Sequence, residues 1–174
     1  MQAANVKETS TVLDLACGTG IYTRPFALVA RRGRVVGMDV SMPMLEWASR
    51  KAAAEGVDNV VFLRACVPEL PFDDNFFDSV NCCGALHLFP NADKALEEIV
   101  RILKPGGHFT AGTIRKNAGF WGRFRSKSAL AGGVNSFTPE GMKETLETLG
   151  ISNIDIHYDA PRWMILSGVK RNKA

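Results

Sequence analysis

Cysteine is scarce in this 174-residue chain, and its four copies, Cys17, Cys66, Cys82 and Cys83, form no Cys-x-x-Cys pair. Neither a zinc site nor a dithiol redox motif is therefore indicated. Each cysteine falls in or beside a predicted strand and reads as a small buried hydrophobe. Adjacent strand residues point to opposite faces, so Cys82 and Cys83 do not make a joint metal site, and no metal is expected. Long apolar runs are also missing. None approaches the roughly 18 residues needed to cross a bilayer, and the opening Met1-Gln-Ala-Ala-Asn-Val-Lys-Glu8 has no apolar signal core. The expectation is a cytoplasmic protein without a targeting segment. No residue repeat or low-complexity tract occurs. The net charge of +3 is too small to imply a nucleic-acid partner. Acids vanish from Ile99 through Pro139, a stretch that carries Arg101, Lys104, Arg115, Lys116, Arg123, Arg125 and Lys127. A hydrophobic fraction of 46% and a charged fraction of 22% are those of an ordinary globular chain, and the length fits one domain over 1–174.

Residues 12–20, Val-Leu-Asp-Leu-Ala-Cys-Gly-Thr-Gly, are an apolar run interrupted by one acid and closed by small residues. They predict a buried strand opening into a tight loop, followed by a helix over 21–30. That arrangement sets backbone N–H groups and a helix start against a nucleotide-like ligand, although a glycine turn after a strand also serves as a plain connection. Gly18 and Gly20 let the chain bend sharply, and Asp14 stands near the strand's carboxyl end. Val35-Val-Gly-Met38 forms a second strand closed by Asp39, about 20 residues beyond the glycines, where an acid can accept both ribose hydroxyls. The competing reading of Asp39 is an exposed acid capping the next helix, a task for which Ser41 is the better candidate.

Further on, Pro43 fits a first helical turn, Leu45, Ala48 and Ala52 share a helical face, and Gly56 ends that helix. A third strand follows at 60–63 and a fourth at 78–84. The clearest periodicity, Ala92, Ala95, Leu96, Ile99 and Leu103, predicts an amphipathic helix that Lys104-Pro-Gly-Gly107 stops, turning the chain into a fifth strand near 108–113. Thr138 caps a last helix with Pro139 at its first position and Met142, Leu146 and Leu149 facing inward. Strands at 154–158 and 163–169 are joined too closely for a crossover and must be antiparallel. Alternation of this kind gives an α/β fold, a Rossmann-like, doubly wound, mostly parallel sheet.

Asp14-Leu-Ala-Cys-Gly-Thr-Gly20, Gly37-Met-Asp39-Val-Ser-Met-Pro-Met-Leu45, Leu70-Pro-Phe-Asp-Asp-Asn-Phe-Phe-Asp78 and Leu103-Lys-Pro-Gly-Gly107 occur in this order. Together they resemble the successive motifs of the class I S-adenosylmethionine-dependent methyltransferases, particularly the small-molecule branch with the ubiquinone/menaquinone-type enzymes. The resemblance runs from Thr11 to Val169 and implies a seven-stranded sheet completed by a C-terminal antiparallel hairpin. It assigns Asp14, Gly18 and Gly20 to the methionine half of the cofactor, Asp39 to its ribose, Val40 or Met44 to the flank of the adenine, and counts Ala16 among the cofactor-binding residues. The adenine end departs from the pattern. Cys66 stands where the family often has an acid, and Val67 follows as a backbone N–H donor; a thiol is a weak acceptor, and one hydrogen bond worth roughly 1 kcal/mol is forfeited. After the fourth strand, a carbonyl of Cys82 or Cys83 would receive the cofactor ammonium. His87 is the general-base candidate, with simple packing of its loop as the alternative. His108 and His157, inside strands, read as structural.

What the resemblance implies is transfer of a methyl group from S-adenosylmethionine, leaving S-adenosylhomocysteine, to a small-molecule acceptor, acidic or lipid-like. The sulfonium is its own electrophile, so neither a covalent nucleophile nor a metal is demanded. No nucleic acid is expected, because 81–87 has no proline-rich, aromatic-tipped loop for a flipped base. Between the fifth strand and the last helix, 115–137 is where the family hangs a lid. Phe120, Trp121 and Phe124 are interleaved there with Arg123, Arg125 and Lys127, which suits an acidic acceptor or the surface of an anionic membrane, or else forms a loose surface helix weakened by Gly119 and Gly122. Only about ten residues precede the first strand where the resembled enzymes carry a covering segment, so a shortened chain, a cover from another subunit (a homodimer among them) or an open crevice all remain. Two rival functions stand beside the enzyme: a non-catalytic binding module or partner subunit of the same fold, and a nicotinamide-dependent oxidoreductase. Thr23 in the third glycine place argues against the latter.

Overall fold

The structure, a computed structural model, describes residues 2–67, 69–116 and 135–172. Among them seven strands form one sheet: β1 (Thr11–Leu15), β2 (Arg34–Asp39), β3 (Val60–Arg64), β4 (Phe77–Cys83), β5 (Leu103–Ile114), β6 (Ile151–Ala160) and β7 (Trp163–Lys170). Their order is β3-β2-β1-β4-β5-β7-β6. The first five pair in parallel, and β7 runs antiparallel to both β5 and β6. This is the mostly parallel doubly wound sheet with a C-terminal hairpin that the alternation of patterns predicts.

Four helices cover it among the described residues: α1 (Thr23–Val29), α2 (Met42–Ala54), α3 (Ala92–Ile102) and α4 (Pro139–Thr148). Alternate strand residues point to opposite faces, so neighbours in β1 enter different cores. Val12 packs with Phe26, Ala27, Val35 and Ala52 under α1 and α2, whereas Leu13 and Leu15 pack with Val80, Phe109, Leu96, Ile99 and Met142 under α3 and α4. Thr138 Oγ1 accepts the Gly141 N–H at 3.0 Å with Pro139 at the first helical position, as its sequence signature requires.

Three boundaries differ from expectation. Ser41 occupies the N-cap position of α2, but its hydroxyl makes no capping bond; the Asp39 carboxylate accepts its N–H instead at 2.9 Å. Leu103, predicted on the helical stripe, is already extended, and β5 begins there. Lys104-Pro-Gly-Gly107 is thus a bulge inside the ladder, between the pairs Phe77 with Leu103 and Ser79 with His108. Pro105 has no N–H to give a ladder and Gly106 takes φ +75°, so the chain loops out and rejoins without ending the strand. β6 is longer than 154–158 because it pairs along nearly all of β7, with irregularities at Ser152/Asp155 and Ile156/Tyr158. The ends of the 115–137 segment lie side by side, Lys116 N–H donating to the Phe137 carbonyl at 2.7 Å. The lid predicted between them, with Phe120, Trp121, Phe124 and its cations, falls outside the described residues. Two cysteines also depart from expectation: Cys17 and Cys82 are buried, but Cys66 is exposed and Cys83 partly so.

Candidate cofactor-binding site

Where β1 ends, the chain folds into a loop with three residues in the left-handed region, Ala16 at φ +55°, Gly18 at +53° and Gly20 at +71°. Such a conformation persists in a residue with a Cβ, here Ala16, only when its surroundings impose it. They do so from several sides. Cys17 N–H donates to the Met38 carbonyl at 2.9 Å, and Arg24 Nη1 donates to the carbonyls of Thr19 and Gly20 at 2.8 and 3.0 Å. Arg24 is itself held by Glu55 at 2.9 Å and lies 5.8 Å from the centroid of the Trp47 ring, so α2 fastens the loop through one guanidinium. The two glycines serve different ends. A Cβ on Gly18 would meet nothing within 4 Å, leaving backbone open to a ligand, whereas one on Gly20 would press on Ala48 of α2 at 3.2 Å.

Beside this loop is a cavity of about 390 Å³, lined by Leu15, Ala16, Met38, Asp39, Val40, Ala65, Cys66, Val67, Ala85, Leu88, Phe89 and Pro90. Among the described residues its walls are apolar and its one charged side chain is Asp39. That carboxylate accepts the Gly18 N–H at 2.8 Å and the Ser41 N–H at 2.9 Å, one on each oxygen. Each oxygen keeps a second acceptor site, so a diol can still bind. Of the residues singled out in the sequence, Ala16, Asp39, Val40, Cys66 and Val67 meet at this cavity, while Met44 lies on the surface, 45% exposed, and is not part of its wall.

Asp14 does something else. It is enclosed, and its two oxygens accept Thr23 Oγ1 at 2.5 Å and Asn81 Nδ2 at 2.7 Å. Asn81 Oδ1 in turn accepts Thr110 Oγ1 at 2.8 Å, so one polar chain crosses β1, β4 and β5. Burial lifts the Asp14 carboxyl from its ordinary 3.8 to about 6, with opposition from the two side-chain donors and the Thr23 backbone N–H and a smaller push from Asp39. Asp14 therefore braces the floor beneath the loop and presents no face to the cavity. The side chain of Cys82 is wholly buried; Cys83 is partly open, and its thiol donates to the Tyr22 hydroxyl at 3.5 Å. His87, in a 3-10 turn (Leu86–Leu88), lies outside the cavity wall and 7% exposed, and its Nδ1 has no partner among the described residues. Burial lowers its basicity, so it is neutral at neutral pH. His108 on β5 meets Asn5 of the N-terminal segment at 2.7 Å, and His157 on β6 meets Ser167 on β7 at 2.7 Å.

A family profile described as "Methyltransferase domain" matches residues 12–107, more than half of the chain. The chain belongs to the methyltransferase-domain family, in its class I, S-adenosylmethionine-dependent form. Among curated relatives, the ubiquinone/menaquinone biosynthesis C-methyltransferase UbiE of Pseudomonas paraeruginosa is 39% identical over 109 residues, which are 62% of this chain and 43% of that protein. The demethylmenaquinone methyltransferase of Symbiobacterium thermophilum is 42% identical over 100 residues, 56% of this chain and 40% of that one. The chain thus spans less than half the length of these relatives. A putative methyltransferase of Bacillus halodurans shares the fold with a TM-score of 0.84 at 19% identity, covering 99% of this chain and 97% of that one. Within this methyltransferase domain, the residues that sequence patterns did not single out are Arg24, Thr23, Asn81 and Thr110. Each acts through side-chain partners at least four residues distant in the chain, which no local spacing encodes.

Proposed function

We propose that this methyltransferase domain transfers a methyl group from S-adenosylmethionine to a small-molecule acceptor, acidic or lipid-like. The observation that carries the reading is the Asp39 carboxylate, pinned by the Gly18 and Ser41 N–H groups as the sole charged wall, among the described residues, of an otherwise apolar cavity. An adenosine needs that combination: a diol acceptor beside a flat apolar slot. When bound, the cofactor supplies a methyl group on a positively charged sulfur. Asp39 would accept the ribose hydroxyls, Val40 and Val67 would bracket the base, and Gly18 would let the methionine half lie on bare backbone. Carbonyls at Cys82 or Cys83 would orient the ammonium. His87, neutral and with a free nitrogen, would take the proton that a hydroxyl or carbon acceptor gives up.

The relatives are named for ubiquinone, menaquinone and demethylmenaquinone, which supports a lipid-like acceptor. Peripheral membrane contact, a homodimer and a cytoplasmic site of action belong to the same proposal; no described helix is long and apolar enough to cross a membrane. The thiol of Cys66 in the adenine wall favours a second reading, a domain that holds cofactor without turning it over. Calorimetry with S-adenosylmethionine and S-adenosylhomocysteine tests the first claim: both should bind at micromolar strength, and Asp39→Ala should weaken both by about tenfold or more with the fold retained. Unaltered binding in that variant would refute the ribose assignment. His87→Ala should slow turnover while S-adenosylhomocysteine affinity holds, and full turnover would return His87 to a packing role.

A further inference from the structure

At the opposite edge of the sheet from the glycine loop, where β1 and β4 begin and the bulge of β5 turns, lies a second cavity, of about 480 Å³. Its character is the reverse of the first. Among the described residues Pro105 is its only apolar side chain, and Lys7, Asp78, Lys104 and His108 stand in its wall. Bonds between distant segments fix that wall. Ser10 Oγ accepts the Lys7 N–H at 2.9 Å while the Ser10 N–H donates to the Lys7 carbonyl at 3.1 Å, a closed turn that holds Lys7 beside the cavity. Asp78 accepts the Thr11 N–H at 2.8 Å on one oxygen and the Lys104 ammonium at 2.7 Å on the other. Asn5 Nδ2 donates to His108 Nε2 at 2.7 Å, which leaves the proton of the neutral ring on Nδ1.

The charges of this wall do not balance. Asp78, its one acid, is matched by Lys104, whereas the Lys7 ammonium has no acidic partner among the described residues. Lys7 is close enough that its charge adds to burial in lowering the basicity of His108. The other charged groups near that ring are Asp78 of β4 and Lys104 of the bulge; Lys170 of β7 gives its ammonium to the carbonyls of Val100 and Leu103. An anion entering here would pair with Lys7 and let His108 take up a proton. Asn5 would then turn its amide oxygen to the protonated Nε2. The wall thereby passes from one net positive charge to two, which matches a dianion. We propose that this cavity is a second binding site, for a small, soluble, hydrophilic phosphomonoester, with its phosphate between Lys7 and His108 and its polar remainder along the bulge. The volume falls within the range of ligand pockets and exceeds the need of a bare phosphate, and the polar walls disfavour an apolar tail. The site shares no lining residue with the cavity beside Asp39, so it does not depend on the cofactor reading.

Calorimetry on the full chain with glycerol 3-phosphate tests this, with glycerol as the uncharged counterpart. The phosphate ester should bind with a Kd below about 1 mM, and glycerol should not bind. Lys7→Gln should weaken the ester by about tenfold, because a charge-assisted contact is lost, while Lys143→Gln, at an exposed lysine of α4, should leave it within about twofold. S-adenosylhomocysteine affinity should stay within about twofold in both variants. In proton NMR the titration midpoint of the His108 ring should rise by about half a pH unit or more with the ester bound, while that of His157 stays in place. Absence of binding, binding that Lys7→Gln leaves unchanged, or binding that Lys143→Gln weakens as much overturns the inference, and so does a His108 midpoint that does not move. Capture of the chain by phosphatidylcholine vesicles carrying phosphatidic acid, without binding of free glycerol 3-phosphate, would make this edge a charged surface and overturn the inference equally.

Discussion

Among the described residues Asp14 has three neutral donors, the Thr23 hydroxyl and backbone N–H and the Asn81 amide, and no cation in its hydrogen-bond shell, so its negative form is only partly compensated in the folded chain. Its carboxyl titrates near 6 when folded, against an ordinary 3.8, so between those values the folded state holds more proton than the unfolded one. Stability from this group is full below about pH 4 and lost as the pH rises through about 6. Urea unfolding of wild type and Asp14→Asn, compared at about pH 4.5 and about pH 7, should show the difference between the two changing by on the order of 2 kcal/mol, with wild type losing ground at the higher pH. A pH-independent difference would mean that Asp14 is charged throughout. The substituted amide can keep its oxygen on Asn81 Nδ2 and turn its NH2 to the Thr23 hydroxyl, which leaves the bond between Asn81 and Thr110 in place. Partners of this kind explain why the sequence showed an acid near a glycine loop but not what satisfies it. Period and spacing locate Asp14 on a strand; only the side chains of β4 and α1 decide which way its charge is satisfied.

At the level of elements, two long basic side chains hold pieces that the backbone alone leaves loose. Arg24 ties the glycine loop to α2. Arg24→Ala should cost about 1–2 kcal/mol by chemical unfolding and weaken S-adenosylhomocysteine binding severalfold, because the carbonyls of Thr19 and Gly20 would lose a charged donor. A loss of stability with full cofactor affinity would make the loop independent of its anchor. Lys170, at the end of β7, gives its ammonium to the carbonyls of Val100 and Leu103 at 2.7 Å each, where the negative end of the α3 dipole emerges. Lys170→Met should cost about 1–2 kcal/mol without changing cofactor affinity. Elements themselves were legible, since Ala92, Ala95, Leu96 and Ile99 repeat at helical spacing and Val12, Leu13 and Leu15 cannot leave the core. Their joints were less so. Leu103 satisfies the helical stripe and the strand equally well, and pairing with Phe77 settles the choice.

For the whole molecule, the site lies where β1, β2 and β4 end, so its walls come from chain segments as far apart as Leu15 and Pro90. Asp39 bridges two of those segments by holding Gly18 and Ser41, and the Asp14 chain carries the connection on to β5. A ligand seated there touches backbone from several elements that unfolding would scatter, and it gains nothing from the unfolded chain. Its binding energy should therefore appear as stability of the entire domain. With S-adenosylhomocysteine at about 100 times its Kd, the gain is about 2.7 kcal/mol, which for a chain of this size raises Tm by about 5–10 °C. Asp39→Ala should lose most of that rise while melting in one transition without ligand, because the carboxylate is partly exposed and its removal leaves the two sheet-face cores untouched. A ligand-induced rise of equal size in the variant would place the cofactor somewhere other than the cavity beside Gly18.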